Sequence, residues 1–294
     1  LLKGSLAPGF GAKNSTIGPE LSFGIEMAKA HGDQILLIKT AWGGKNLKRD
    51  FRPPTSGWNQ TPPVIPGDQG FYYQQILKDV NEALSNLETD FEGYNPARGY
   101  ELAGFAWHQG WNDRVDPLAV PEYETNLKNL IKDLRTDLGE PSLPFVIATT
   151  GMSGWNEAHP RGLAIMNAQL AMTNDLKYPE FKNNVGVVET RSFWKDIEFS
   201  PSDQSFHWNR NAETYSLIGE ALAGELQFLS TGVDIKAPLP TVASFLSAPS
   251  AVDASSVTMT AMSGSDPSGP LEYLFQESSG SKGATSSGWQ LSPV

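Results

Sequence analysis

Short apolar runs alternate with segments of helical periodicity over the first 230 residues of the chain. Four runs have the length of buried strands: Ile35-Leu36-Leu37-Ile38, residues 102–107, Phe145-Val146-Ile147-Ala148 and residues 185–189. Between and around them, apolar residues recur every three or four positions, which predicts helices near residues 19–30, 73–87, 123–138, 160–174 and 215–229. Apolar strands between amphipathic helices predict an α/β fold with a mainly parallel sheet covered on both faces.

The ends of three predicted helices carry residues that favour helix boundaries. Gly32 follows the first helix, Pro121 and Gly139 flank the third, and Asn211 precedes the last. Proline suits the first turn of a helix and glycine suits the position after its end. Asn is a preferred N-cap residue because its side chain accepts a hydrogen bond from the first turn.

The composition changes after Pro238-Leu239-Pro240. Residues 241–294 are rich in Ser, Gly, Ala and Thr, and Val257-Thr258-Met259-Thr260 has the alternation of a strand. We therefore predict two domains: residues 1–236, and a small partial β domain at residues 237–294. The low-complexity run at residues 278–287 is predicted to be a mobile loop.

The charge and the residue usage exclude several classes of function. A formal net charge of −11 would repel nucleic acids and anionic membranes. The absence of cysteine excludes thiolate catalysis and Cys-ligated metals. No apolar run is long enough to span a bilayer. The chain begins with Leu1 instead of Met, so we expect a processed or truncated end, behind which a signal peptide would be invisible.

Polar groups follow the predicted strands, and the loops after the strands of an open α/β sheet are where ligands bind. The first such loop, Thr40-Ala41-Trp42-Gly43-Gly44-Lys45-Asn46, contains a glycine pair. Backbone N–H groups of paired glycines can approach a bound atom closely and stabilise an oxyanion. A simple tight turn is the alternative.

Two later loops contain candidate catalytic side chains. After the second strand, the Gln109 amide can donate to an oxyanion and Asp113 can orient a histidine, unless both belong to a network that only holds loops together. His207 lies in a loop instead of on an apolar helix face, so it is a candidate general base. Asp203 is the nearest acid, and a turn-forming role is its alternative.

Most tryptophans of the chain are clustered near strand ends. Seven of the eight fall at or just beyond them: Trp42, Trp58, Trp107, Trp111, Trp155, Trp194 and Trp208. Such clustering favours flat apolar platforms that line a cleft, and sugar rings suit these platforms. We predict that Trp42, Trp111 and Trp208, together with His108, contact the substrate.

Four separated motifs carry a resemblance to a known family. They are Ile17-Gly18-Pro19-Glu20-Leu21-Ser22-Phe23-Gly24, Ile38-Lys39-Thr40-Ala41-Trp42-Gly43-Gly44, Trp107-His108-Gln109-Gly110 and the loop around His207. In this order they resemble the sialate O-acetylesterase and acetylxylan esterase group of SGNH hydrolases, over about residues 4–230. Phe51-Arg52-Pro53-Pro54 and Trp111-Asn112-Asp113 resemble a bacterial branch of that group. Residues 241–294 are similar to part of a fibronectin type III-like β-sandwich.

The resemblance implies a three-layer α/β/α fold and removal of acetyl esters from carbohydrates without a metal or other cofactor. It implies acyl transfer through a serine that a histidine activates. His207 would be this base, and the Gly44 backbone and the Gln109 amide would donate to the oxyanion.

The sequence departs from the family pattern in two respects. The family nucleophile lies in a Gly-Gln-Ser-Asn motif after the first strand, and no such motif occurs in residues 1–294. Many members have Glu after His-Gln-Gly, where this chain has Trp111, so Asp203 or, as a second choice, Asp113 would have to orient His207. A missing first strand is expected to expose a sheet edge or leave a gap in the core.

These observations predict a segment of a bacterial carbohydrate O-acetylesterase that is secreted, periplasmic or on the cell surface. A longer polypeptide or an assembly would supply the missing nucleophile segment, and acetylated carbohydrate would be the substrate. The alternative is a non-catalytic carbohydrate-binding or structural unit of an extracellular assembly. A metal-dependent hydrolase is disfavoured because no two histidines have helical ligand spacing.

Overall fold

The computed structural model describes residues 3–58, 64–232, 245–251 and 257–261, and the chain divides into two units, Leu1–Val233 and Asp234–Val294. The α-helices of the described part are α1 Glu20–His31, α2 Phe71–Ser85, α3 Leu87–Asp90, α4 Trp111–Val115, α5 Val120–Asp137, α6 Pro160–Leu170 and α7 Ala212–Thr231. The strands are β1 Phe105–Trp107, β2 Phe145–Ala148, β3 Val185–Val188, β4 Phe245–Ala251 and β5 Val257–Ala261. Short 3₁₀ segments lie at Pro54–Ser56, Gly154–Asn156, Ala171–Thr173, Pro179–Phe181, Arg191–Phe193, Ile197–Phe199 and Ser205–Arg210.

The first unit contains a parallel sheet with the order β1-β2-β3. Phe105 pairs with Phe145, and Phe145 pairs in turn with Val185. The sequence prediction of a parallel sheet is confirmed for these strands. Because parallel strands end at the same edge, the loops that follow β1, β2 and β3 share one side of the molecule.

Helices cover both faces of this sheet. Phe145 and Ile147 of β2 point into a core cluster with α2, α5 and α6, where Tyr123, Leu127 and Leu130 are fully buried. On the other face α7 packs against β2 and β3, and α1 packs against α7. The outcome is the three-layer α/β/α architecture that the family resemblance implies.

Residues that were predicted to mark helix boundaries lie at helix ends in the structure, although α6 ends at Leu170 instead of residue 174. Gly32 ends α1 in the left-handed conformation, with φ of 64°. Pro121 lies in the first turn of α5. The Asn211 side chain caps α7 by accepting from the Thr214 N–H at 3.0 Å.

The prediction of a strand at Ile35-Leu36-Leu37-Ile38 is wrong for this structure, and β1 begins at Phe105 instead of residue 102. Residues 33–42 contain no helix or strand. Leu37 still contacts α1 at Gly24, whereas Ile38 packs against the core cluster. The segment therefore contacts both helical layers as a strand would. Within the described residues, however, no neighbouring strand forms backbone hydrogen bonds with it.

A cavity of about 1630 Å³ explains the missing pairing. Its lining includes residues 35–42 on one side and residues 102–109 on the other. Leu36 is 40% exposed, and Ala106 in the middle of β1 is exposed as well. Apolar residues of a strand that is covered on both faces are normally buried. We call this cavity the strand gap, because one edge of β1 and the apolar 35–38 segment both border it.

The described part of the second unit is an antiparallel pair, in which Phe245 of β4 pairs with Ala261 of β5. The predicted strand at Val257-Thr258-Met259-Thr260 is confirmed by β5. The linker at Pro238-Leu239-Pro240, the boundary at residue 236 and the loop at residues 278–287 lie outside the described residues. The similarity of this unit to a fibronectin type III-like domain stays a prediction.

Candidate active site

The glycine loop places a free backbone donor near the end of β1. Gly44 has φ of 73°, a conformation that glycine adopts without strain. A β-carbon built on Gly44 would lie 3.7 Å from Nδ2 of Asn112, so the glycine loop contacts the loop after β1. Among the hydrogen bonds of the described residues, the Gly44 N–H donates to no acceptor. It is therefore available to a ligand.

Asp113 joins the glycine loop to the loop after β1. Its carboxylate is fully buried and accepts from the Leu47 N–H at 2.8 Å and from the Lys48 N–H at 3.0 Å. It also accepts from Nε2 of Gln109 at 2.6 Å. Burial raises the pKa of Asp113, and the three N–H donors act against this rise by stabilising the carboxylate. None of these hydrogen bonds involves a histidine. Asp113 therefore acts as a clamp, which means that its carboxylate connects two loops through hydrogen bonds.

Hydrogen bonds fix both the side-chain amide and the backbone carbonyl of Gln109. Both hydrogens of its amide are engaged, one by Asp113 and the other by the Lys45 carbonyl at 3.1 Å. The Tyr123 hydroxyl donates to the Gln109 backbone carbonyl at 2.9 Å. To donate to an oxyanion, the Gln109 amide must first release Lys45, whose bond is the longer of the two.

Sequence reasoning missed two members of this network, Tyr123 and Gln169. Gln169 lies fully buried on α6 and donates to the Gln109 carbonyl at 2.8 Å, while its own carbonyl accepts from the Thr150 N–H at 2.9 Å. Burial raises the pKa of Tyr123, which stays a neutral hydroxyl donor. The sequence signal that could have identified Gln169 is its position between apolar residues of a predicted helix. A side-chain amide at such a position is expected to be buried, and a buried polar group needs hydrogen-bond partners.

The loop that contains His207 has an unusual backbone. Trp208, Asn209 and Arg210 have φ values of 51°, 50° and 57°, in the left-handed region that non-glycine residues seldom adopt. Each such residue costs roughly 1–3 kcal/mol. Several hydrogen bonds hold the bend. Among them, Asn209 Nδ2 donates to the Lys195 carbonyl at 3.0 Å, and Asn209 N–H donates to the Gln204 carbonyl at 3.0 Å. The bend buries Trp208 and exposes His207.

Two aromatic contacts bring the His207 loop against the loop after β1. The Trp111 and Phe206 rings lie 6.0 Å apart, and Phe206 lies 4.6 Å from the His207 ring. The rings of His108 and Trp208 are 6.1 Å apart. His207, His108 and Gln109 all line the strand gap. The structure therefore brings the three predicted loops together, at the end of the gap where the strands finish.

Among the described residues, neither predicted acid forms a hydrogen bond with the His207 side chain. The Asp203 side chain is exposed, and its backbone carbonyl accepts from the Ser205 N–H at 3.0 Å, which fits a turn former. Across the part of the chain that the structure describes, no hydrogen bond joins the His207 imidazole to a carboxylate. The orienting role of Asp203 stays a prediction.

The predicted substrate-binding tryptophans have different environments. Trp208 is only 1% exposed, so its faces are not available to a ligand and this prediction is wrong for it. Trp42 is half-buried against Phe51 and Tyr72, and it also lines the strand gap. Trp111 stacks on the Arg114 guanidinium, at 4.3 Å, and keeps some exposed surface.

His108 is an uncharged ring at the edge of the strand gap. Its Nε2 atom is buried and has no hydrogen-bond partner among the described residues. Burial lowers the pKa of His108 to about 4. Because an ordinary histidine titrates near pH 6.5, the His108 ring stays neutral where an exposed imidazole becomes charged.

This pKa predicts a pH-dependent stability. Between about pH 6.5 and 4 the unfolded chain binds a proton at residue 108 that the native ring does not, so stability falls as pH decreases. The free energy of unfolding decreases by at most about 3 kcal/mol at the lower end of this pH range. Chemical denaturation at several pH values, compared with His108→Gln, should show the wild type losing more stability between pH 6.5 and 5. Parallel curves for the two proteins would contradict this environment of His108.

Among the described residues, no three His, Asp or Glu side chains are grouped to hold a metal ion. None of the helices within those residues is long and apolar enough to cross a membrane.

The chain matches the family model described as carbohydrate esterase, sialic acid-specific acetylesterase, over residues 6–226. The chain belongs to this family. The match covers the glycine loop, the loop after β1 and the His207 loop. No curated protein matches the sequence.

Two solved structures are similar to this member of the carbohydrate esterase family. A protein from Arabidopsis thaliana shares 21% identity with a TM-score of 0.51, covering 74% of this chain and 70% of that one. A carbohydrate acetylesterase from Xanthomonas citri shares 17% identity with a TM-score of 0.48, covering 90% of this chain and 50% of that one. The Arabidopsis structure indicates a shared fold, and this chain spans half the length of the Xanthomonas protein.

Proposed function

We propose that this chain is a segment of a serine-dependent carbohydrate O-acetylesterase that acts without a metal or other cofactor. The observation that carries the proposal is the meeting of three loops. Gln109 and His207 line the strand gap, and the glycine loop, with its free Gly44 N–H, contacts the loop after β1. Family membership gives the reaction class, which is hydrolysis of acetyl esters on carbohydrates.

The nucleophile in this proposal is a serine carried on an extended segment outside residues 1–294 that occupies the strand gap. The gap borders one free edge of β1 and the unpaired apolar 35–38 segment, and both gain hydrogen-bonded neighbours when a strand lies between them. A parallel strand at this place ends beside the glycine loop, Gln109 and His207. The segment belongs to the same polypeptide or to a partner chain.

The proposed reaction has two steps. His207 accepts the serine proton as the serine oxygen attacks the acetyl carbonyl carbon, and the Gly44 N–H donates to the oxyanion that forms. The carbon–oxygen bond to the sugar then breaks, and the proton on His207 passes to the departing sugar oxygen. Water attacks the acetyl-serine in the second step, which releases acetate and restores the serine.

The other residues act on these groups indirectly. Asp113 fixes the distance between the glycine loop and Gln109, and the Gln109 amide becomes a second oxyanion donor when it releases the Lys45 carbonyl. Asp203 orients His207. A bacterial secreted, periplasmic or cell-surface location fits polymeric acetylated carbohydrate as the substrate.

Acetate release tests this proposal. A polypeptide that contains residues 1–294 and a Gly-Gln-Ser-Asn segment is expected to hydrolyse 4-nitrophenyl acetate and acetylated xylo-oligosaccharides. The matched controls are residues 1–294 alone and the longer polypeptide with that serine replaced by alanine, and both should lack turnover. Equal turnover by residues 1–294 alone would overturn the serine assignment. Failure of the longer polypeptide to release acetate would favour the non-catalytic alternative.

A further inference from the structure

Trp155 forms an exposed aromatic platform on the carboxyl edge of the sheet. The residue is 64% exposed and lies in the Gly154–Asn156 segment that follows β2. The Arg191 guanidinium carbon lies 4.1 Å from the centroid of its ring. The Trp155 indole N–H donates to Ser192 Oγ at 3.2 Å. Arg191 therefore covers one face of the ring, Ser192 holds the ring edge through a hydrogen bond, and the remaining surface is open to solvent.

The support beneath this ring is itself held firmly. Arg191 donates from Nε and from an Nη atom to the two carboxylate oxygens of Glu189, at 2.9 and 2.7 Å. Such paired bonds fix the plane of a guanidinium group. An aromatic ring that is held before a ligand arrives loses little conformational entropy on binding.

A row of aromatic contacts connects this platform with the candidate active site. Trp194 lies 2.9 Å from where a β-carbon on Gly154 would be, so it is next to the base of the platform. The Trp194 and Trp208 rings are 6.1 Å apart, and Trp208 is 6.1 Å from His108. Trp155 therefore shares one edge of the sheet with His108 and Gln109, but it lies beyond Trp194 and Trp208, over the ends of β2 and β3.

We propose that Trp155, supported by Arg191, is a remote sugar-binding subsite of the esterase. It binds one pyranose ring of the saccharide, several sugar units away from the ring that carries the reacting acetyl group. The proposal rests on the proposed function and makes it specific: the substrate is an oligosaccharide or polysaccharide instead of a single acetylated sugar. The open face of the indole stacks on the apolar face of the ring.

The charge of the region favours a neutral saccharide. The Arg191 charge is already paired with Glu189, and nearby Arg114 is paired with Glu157 at 2.7 Å. The net charge of the chain is −11, which repels polyanionic ligands. Both positive charges are therefore neutralised by a carboxylate before a ligand arrives.

Binding to residues 1–294 tests the subsite, because binding needs no nucleophile. The probes are neutral xylo-, manno- and gluco-oligosaccharides of one to six rings, with sialyllactose as a charged comparison, measured by titration calorimetry. For at least one neutral series, the affinity of the wild type should increase with ring number. Trp155→Ala should lower the affinity for the six-ring ligand about tenfold and leave single sugars unchanged. Trp155→Phe should restore part of the loss.

The matched control is Tyr100→Ala, which removes a 57% exposed aromatic side chain ahead of β1, at the opposite edge of the sheet. Its length dependence should equal that of the wild type. Unchanged length dependence in Trp155→Ala, no binding of any neutral series by the wild type, or tighter binding of sialyllactose would each overturn the subsite. None of these outcomes bears on acetate release by the serine-containing polypeptide, so the two proposals fail separately.

Discussion

Replacement of His207 by alanine is expected to lower kcat for acetyl-ester hydrolysis about 10⁴-fold, in a polypeptide that contains residues 1–294 and the serine segment. The serine hydroxyl is a weak nucleophile at neutral pH, and removal of the base of a serine–histidine pair typically costs this much or more. His207 is exposed, and the buried residues of its bend are Trp208 and Asn209, so the change should leave the fold intact. Initial rates with 4-nitrophenyl acetate and with acetylated xylo-oligosaccharides measure the effect.

The control for this variant is His31→Ala, which removes an exposed histidine at the end of α1. It should keep the wild-type rate. Added imidazole should partly restore the rate of His207→Ala, because the vacated space opens to solvent. A His207→Ala rate within tenfold of the wild type would remove His207 from the mechanism.

Replacement of Asp113 by alanine is expected to destabilise the first unit by about 3–5 kcal/mol. The variant leaves the buried Leu47 N–H and its neighbour Lys48 N–H without an acceptor, and Gln109 loses its shortest hydrogen bond. For a unit of this size the loss corresponds to a decrease in Tm of about 10 °C. Asp113→Asn keeps one acceptor oxygen and should lose about half as much. Thermal unfolding followed by circular dichroism measures both.

The control for Asp113 is Asp116→Ala, which removes a carboxylate just after the same short helix. Asp116 is partly exposed, pairs with Lys48 at 3.4 Å and accepts from the exposed Leu118 N–H at 2.8 Å, so its loss should cost about 1 kcal/mol. Equal Tm values for Asp113→Ala and Asp116→Ala would contradict the role of Asp113 as a clamp between the glycine loop and Gln109.

The sequence was sufficient for the parts of the fold that local patterns determine. The α7 cap at Asn211, the end of α1 at Gly32 and the parallel direction of β1, β2 and β3 follow from helix-capping chemistry and from apolar periodicity. The 35–38 segment was predicted as a strand for the same reason, and the prediction failed because a strand requires a hydrogen-bonded neighbour as well as a suitable sequence.

The site was predictable in its members but not in their arrangement. Motif order indicated Gly44, Gln109 and His207, and the structure brings their loops together. Nothing local indicated that Asp113 would bind the backbone of Leu47, since that contact depends on how two loops meet in three dimensions. Likewise, the burial of Trp208 follows from three left-handed residues that contain no glycine, which propensity alone would not select.

The central claim is that His207 activates a serine that enters the strand gap from outside residues 1–294. Covalent labelling with a fluorophosphonate probe tests it most directly, with the modified residue located by mass spectrometry in the polypeptide that contains both parts. We expect one labelled serine, in the segment outside residues 1–294, and no labelling in His207→Ala. Labelling of a serine within residues 1–294, or labelling that persists in His207→Ala, would contradict the claim.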